Sequence, residues 1–586
     1  MLGRAALAVL TLSFLSQSLS PSPAVAQERP AEVRVAADRA LTTSKGAVAT
    51  VERRAAEIGA RVLAEGGNAV DAAIATAFAL AVTYPAAGNL GGGGFMLVAL
   101  ADGRTAAIDY REIAPRRVDE RHFLDARGSI DPLKVEFGHF VAGVPGSVAG
   151  LEEAHRRFAT RPWAELVRPA RELAERGFPV DAVLARGIAE YAADFRRFPA
   201  SARLFLRPDG TPRVEGDPFV PSDLANCLRW IEEGGAKAFY EGPIAALIAA
   251  EMERAGAPMD ARDLAVYRPV VRDVLVARYR GNELLLMPPP SSGGVALAQI
   301  LGILEPLELR KHGGWDASAR HLFAEASRRA FAQRAEFLGD PDATPVPVAE
   351  MLAPERLDSL RATIDLVRAT ASESLGPPLS DPAAAAGRER SSTTHISVVD
   401  AAGNAVANTT TLEDSYGGRL VAEGTGFLLN NELHDFNPGP GLTDRKGRIG
   451  TAPNLVRPGR RPLSSMTPCI VRRDGEVTLV TGSPGGRSII STVSQVVLSV
   501  LEFGTTADAA VAGARQHQPW FPDALDVEPG VDAAARAGLE QRGHLLRIPK
   551  DGFQGDAHSI ARVPGSGELR AVADRRIDGW VAAPQE

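Results

Sequence analysis

The residue with the most chemistry in this sequence is Thr393. Residues 370–392 are Ala, Ser, Pro and scattered charge, the composition of a linker. Thr394–Val399 then alternates as a β-strand. A strand that begins with threonine, once cut free after Ser392, holds a hydroxyl nucleophile and a base in one residue. The α-amino group has a reference pKa of about 7.7–8.0, so it can take the hydroxyl proton directly or through water, with no histidine required. The same local pattern also describes an ordinary strand following a linker that is never cut. Gly482-Ser483-Pro484-Gly485-Gly486 is a second candidate, but as an isolated pattern it is weak and lacks the lysine of a phosphate-binding loop. Cys227 and Cys469 stand in no Cys-x-x-Cys pair and near no histidine cluster; they read as small buried hydrophobes, with a bridge between them left open.

The elements around these residues can be read coarsely. Residues 45–100 read as a helix, a turn at Gly66-Gly67-Asn68, a second helix from Ala69, and a strand after Gly91–Gly94. Residues 150–365 are rich in helical periodicity, best seen over His321–Leu338, with a rigid loop at Pro288–Gly294. After the linker the period changes to two. Thr394–Val399 and Ala405–Leu412 form one hairpin about Asp400–Asn404. Cys469–Val471 and Val477–Val480 form another about Asp474-Gly475, followed by a helix over Ser488–Phe503.

Composition narrows the function classes. The chain has 586 residues and a net charge of −7, with no long block of like charge, which argues against nucleic acid or anionic lipid as a partner. Residues 1–26 read as a signal peptide: Arg4, an apolar stretch Ala5–Leu15, and Ala24-Val25-Ala26 before Gln27. The expected location is therefore periplasmic or secreted. No later segment is long and apolar enough for a membrane span; the closest, Ala69–Val82, contains Asp71. No metal-ligand spacing is visible, and no cofactor is expected.

Several motifs together resemble the γ-glutamyltranspeptidase family. They are Gly66–Ala73, Gly91–Leu97, Asp109-Tyr110-Arg111-Glu112, Pro288–Gly294, Phe337–Pro341, Ser391–Asp400, Leu428–Glu432, Pro462–Met466 and Gly482–Gly486. The resemblance spans nearly the whole chain after the signal peptide. It implies the N-terminal-nucleophile fold, an αββα sandwich, built from a large subunit of residues 27–392 and a small subunit of 393–586. It implies that Thr393 cuts the Ser392–Thr393 bond and then serves as catalytic nucleophile, with Thr411 bonded to its hydroxyl. Arg111 would grip the donor's α-carboxylate through its planar fork, helped by Ser464 and Ser465. Glu413, Glu432 and Asp435 would bind its α-ammonium group. Gly485 and Gly486 would offer backbone N–H groups to the oxyanion, near a helix start. The donor would be glutathione or another γ-glutamyl compound, and the acceptor water, an amino acid or a peptide.

Two departures from the family's pattern stand out. Glu413 occupies a position where part of the family has asparagine. The stretch 436–460, where many members place a lid with an aromatic residue, contains no tyrosine or tryptophan, and Lys446 stands about where the aromatic is expected. Two other readings compete: an acylase of glutaryl or cephalosporin-type amides on the same scaffold, and an exported binding protein that is never processed.

Overall fold

The computed structural model describes residues 32–131, 134–135, 137–377, 379, 393–437, 439–441, 443, 449, 451–549 and 552–585. Two antiparallel sheets lie at its centre. In the eight-stranded sheet the order is Val33–Val35, Trp580–Pro584, Gly46–Thr50, Thr393–Asp400, Ala405–Thr411, Gly93–Ala99, Thr105–Asp109 and Val270–Arg272. In the seven-stranded sheet it is Ala40–Thr43, Leu569–Ala573, His558–Arg562, Glu476–Gly482, Cys469–Arg473, Asn282–Leu286 and Leu275–Tyr279. Two antiparallel sheets at the centre are what the αββα sandwich implied by the motifs requires.

Alternation along the strands sorts residues between two cores. Ile396, Val398, Val406 and Met96 join a helical layer containing Arg53–Ala64 and Ala69–Thr83. Val399, Ala405, Ala407 and Leu97 face the second sheet, whose own outer face is covered by Gly293–Leu304 and Ser488–Leu501. All eight residues of Thr393–Asp400 are buried. The period of two therefore marks two apolar destinations rather than one wet face. Ala69–Thr83 is likewise buried at all 15 positions, which explains its membrane-like hydropathy. Asp71 is accommodated there as half of a capping box with Asn68.

Strands from before and after residue 393 interleave in the eight-stranded sheet. Gly46–Thr50 pairs with Trp580–Pro584 on one side and with Thr393–Asp400 on the other. Each part of the chain thus completes the other's backbone hydrogen bonding, and a cut before Thr393 removes no ladder.

Three expectations need revision. The region 45–100 begins with the strand Gly46–Thr50, ahead of its helices. The helical central region also holds the strands Val270–Arg272, Leu275–Tyr279 and Asn282–Leu286. The start of the linker is anchored: Thr370 N–H donates to Glu325 at 3.1 Å and Ser372 N–H to Asp523 at 2.9 Å. The Trp520 indole donates to Ser372 O at 2.8 Å and Leu375 O at 3.0 Å. Cys227 and Cys469 are free, buried, and in different cores. Residues 1–31, Ser392 and Lys446 lie outside the described residues.

Trp520 is fully buried against this segment. Trp520→Ala is expected to destabilise the protein by about 3–5 kcal/mol, read as a lower urea midpoint. Trp520→Phe, which keeps most of the packing but loses both carbonyl contacts, should cost less.

Candidate active site

Thr393 opens a strand in the middle of the eight-stranded sheet, directly opposite Thr411 in register. Its hydroxyl donates to Thr411 Oγ1 at 3.3 Å, and Thr411 Oγ1 also accepts the Glu413 N–H at 2.8 Å. Behind it runs a polar ladder between the sheets. His395 Nδ1 lies 2.8 Å from Thr409 Oγ1, and Nε2 lies 3.0 Å from Ser397 Oγ. Ser397 gives its one hydroxyl proton to His558 O at 2.9 Å. Nε2 must then be the N–H donor to Ser397, leaving Nδ1 to accept from Thr409. Burial keeps this imidazole neutral, well below the usual histidine range. Both nitrogens of the histidine two residues from Thr393 are spent, and it is no base for the nucleophile.

The glycine loop reaches this place through the second sheet. A Cβ on Gly482 would fall 2.3 Å from His395 ring atoms, so glycine lets the strand Glu476–Gly482 close over His395. The next residues fold back with Gly485 at φ 140° and Gly486 at φ 54°, which glycine adopts readily. Asp556 N–H donates to Ser483 Oγ at 2.9 Å and Ser488 Oγ to Gly485 O at 2.7 Å, fixing the loop from both sides. The N–H groups of Gly485 and Gly486 donate to no described residue. The helix Ser488–Leu501 starts just beyond, adding its positive end.

Arg111 is buried just past the strand Thr105–Asp109. Its Nε donates to Pro462 O at 3.1 Å and its Nη2 to Leu463 O at 3.2 Å. These two carbonyls immediately precede Ser464 and Ser465 in the chain. Ser465 Oγ accepts from Arg334 at 3.1 Å, and Ser464 O accepts from the Ser292 hydroxyl at 2.6 Å. Arg111 also pairs with Glu432 through Nη1 and with Asp435 Oδ2 at 2.5 Å through Nη2. The cation between Glu432 and Asp435 is thus Arg111 itself. Glu413, the third expected ammonium ligand, faces His434 at 3.6 Å instead.

Charge is crowded here. Burial, then the neighbouring Asp414, pushes Glu413 up to about 8; burial lifts Glu112 to about 7 against the pull of Arg111, and lifts Glu432 well above its usual range. His434 is lowered by burial but raised more by Glu413, ending at about 9. Glu413 Oε2 and Glu432 Oε2 are buried and make no hydrogen bond. Glu112, Asp414 and His434 were not singled out in the sequence; each adjoins a residue that was, and adjacency was the only signal available.

Spacing showed no metal ligands, but among the described residues the fold assembles two groups within ligand reach. In one, His321 Nδ1 and His544 Nε2 bond each other at 2.8 Å, and Glu325 already accepts from Arg329 and Thr370. The other is Glu413, Asp414 and His434, part of the charged pocket just described.

An ammonium ligand in this pocket must replace the proton on Glu413. Its apparent affinity should therefore improve as pH rises toward about 8, where Glu413 ionises. The expected observation is a KM for an α-ammonium donor that falls over this interval, and a Glu413→Gln enzyme whose KM does not respond.

Comparison with known proteins places this geometry. The sequence model described as gamma-glutamyltranspeptidase matches residues 55–583. A glutathione hydrolase proenzyme of Escherichia coli strain K12 is 41% identical over 543 residues, covering 92% of each chain. The crystal structure of a cephalosporin acylase from Bacillus halodurans superposes with a TM-score of 0.83 at 26% identity, covering 96% of this chain and 99% of that one. The γ-glutamyltranspeptidase of Helicobacter pylori does so with a TM-score of 0.55 at 40% identity, over 56% of this chain and 93% of that one.

Proposed function

The chain belongs to the γ-glutamyltranspeptidase family and is a γ-glutamyltransferase with glutathione hydrolase activity, and we propose that it is an exported proenzyme whose nucleophile is Thr393. Residues 1–26 are removed on export, and cleavage at Ser392–Thr393 leaves subunits of residues 27–392 and 393–586. The observation that carries this reading is Thr393 itself: a buried strand-leading hydroxyl on Thr411, beside a histidine with no nitrogen to spare. The freed α-amine is then the base within the nucleophile's own residue.

In turnover, Thr393 Oγ attacks the γ-carbonyl of glutathione or a related donor while the amine takes its proton. Gly485 and Gly486 N–H groups stabilise the tetrahedral oxyanion. Collapse breaks the C–N bond, the amine returns the proton to the leaving nitrogen, and a γ-glutamyl ester remains on Thr393. Water or the amino group of an amino acid or peptide then attacks this ester and frees Thr393. Arg111, Ser464 and Ser465 hold the donor's carboxylate, which takes over the Arg111 contact now made by Asp435. Glu413, Glu432 and Asp435 turn to its ammonium. No step calls for a metal or organic cofactor.

Thr393→Ala should stay a single chain on a denaturing gel, while the wild type yields a fragment whose amino-terminal residue is Thr393. An alanine variant still cut at that bond would assign cleavage to another protease. Donor choice tests the acylase alternative, which needs Thr393 but no ammonium site. γ-Glutamyl-p-nitroanilide should exceed glutaryl-p-nitroanilide in kcat/KM by at least about a hundredfold, since a site built around a polar group rejects analogues that lack it. Equal values would favour the acylase.

A further inference from the structure

A second cavity, of about 210 Å³, is lined by Ser415 and Tyr416, which continue the chain from Glu413 and Asp414. Neither Thr393 nor any residue assigned to the donor lines it. Its walls combine the rings of Tyr84, Tyr191 and Tyr416 with the carboxylates of Glu52, Asp181, Glu190 and Asp578. Arg186, exposed on the same helix as Glu190, is the one cation among the lining residues. From outside, Arg54 reaches Glu52 at 2.9 Å and Asp181 at 3.7 Å, and Arg39 holds Asp578 at 3.2 Å. Four carboxylates thus answer to three guanidinium groups, two of which stand behind the walls.

The Tyr416 side chain is 2% exposed, and its hydroxyl makes no hydrogen bond to any described residue. Gly187 leaves the room that hydroxyl occupies, since a Cβ there would lie 2.2 Å from it. The field at the tyrosines is negative: burial first, then Asp556, Asp578 and Asp181, push the Tyr84 phenol far up, and burial with Asp181 and Glu190 does the same to Tyr416.

We propose that this cavity is a binding site for a small organic ammonium compound, separate from the donor pocket. Aromatic rings and carboxylates lining one cavity suit an ammonium carried on carbon, through cation–π attraction and charge-assisted hydrogen bonds. A bare metal ion fits poorly, because among the described residues no three of these carboxylates come within ligand reach of one another. The volume is that of a small metabolite rather than a water or two.

The test is calorimetric titration of the processed enzyme with cadaverine and no donor present. Saturable one-to-one binding is expected, with none for pentanediol, the uncharged analogue of the same length. Val183→Phe, which fills the cavity from a partly exposed lining position, should weaken binding by about tenfold or more. Glu190→Gln, at an exposed lining position, should weaken it by a smaller factor. Both should retain wild-type γ-glutamyl turnover, which confirms their fold and is read independently of the proposal. Lysine binding more tightly than cadaverine would assign Arg186 to the ligand's carboxylate; the reverse order would assign the site to simple amines. No binding by the wild type, or binding undiminished in Val183→Phe, would overturn the proposal.

Discussion

The backbone pairing of Thr393–Asp400 with Ala405–Thr411 on one side and Gly46–Thr50 on the other is the interaction on which the site depends. It fixes the first residue of the strand as firmly as its middle. A chain terminus is ordinarily the loosest part of a protein. Here the terminus that cleavage would create is held in the centre of an eight-stranded sheet, with its side chain already on Thr411. That placement removes the main objection to a terminal nucleophile, the entropy of holding it still. It also explains why the interlayer around it is polar. Thr409, His395, Ser397 and the His558 carbonyl satisfy one another in sequence, which leaves the Thr393 hydroxyl on Thr411 at the end of the strand.

The charged pocket proposed to hold the donor works by the opposite logic, since its groups are not satisfied among themselves. Glu112, Glu413, Asp414, Glu432 and Asp435 crowd around Arg111 and His434. Desolvation raises Glu413 to about 8, Glu112 to about 7 and Glu432 well above its usual range, so these carboxylates hold a proton more readily than free ones where the proposed donor would bring an ammonium group. Donor binding is then an exchange of cations more than the filling of a vacancy. Arg111 is held by two carbonyls of the 462–463 turn as well as by the carboxylates. Asp435 can therefore release it without leaving it loose.

How much of this was legible follows from how local each signal is. The hairpin about Asp400–Asn404, the glycine loop and the turn at Gly66-Gly67-Asn68 are written in short runs, and they were read from the sequence in place. Gly46–Thr50 was missed because Gly-Ala-Val-Ala-Thr carries a weak strand signal; its burial comes from strands hundreds of residues away. Residues 370–376 have linker composition, yet Trp520 and Asp523 hold them through backbone atoms, which no side-chain pattern records. Arg111, Ser464 and Glu432 were found through motif resemblance. The fact that Arg111 lies between Glu432 and Asp435, while Glu413 turns to His434, is tertiary and could not be read from spacing.

Glu413 shows how the two kinds of constraint meet. It takes a positive φ of 78°, which an L side chain adopts only under constraint, and its N–H is tied to the same Thr411 hydroxyl that receives Thr393. The backbone that positions Thr411, the partner of the proposed nucleophile, therefore also sets the direction of the Glu413 carboxylate. Asparagine tolerates this conformation better than glutamate, so glutamate is the strained choice on backbone grounds alone. What it adds is charge: Glu413 is the main cause of the raised pKa of His434 and, when ionised, offers a full negative charge to an ammonium group. The short run from Thr411 to Asp414 thus ties the hydroxyl of the proposed nucleophile and the carboxylate proposed for donor recognition to one Thr411 oxygen.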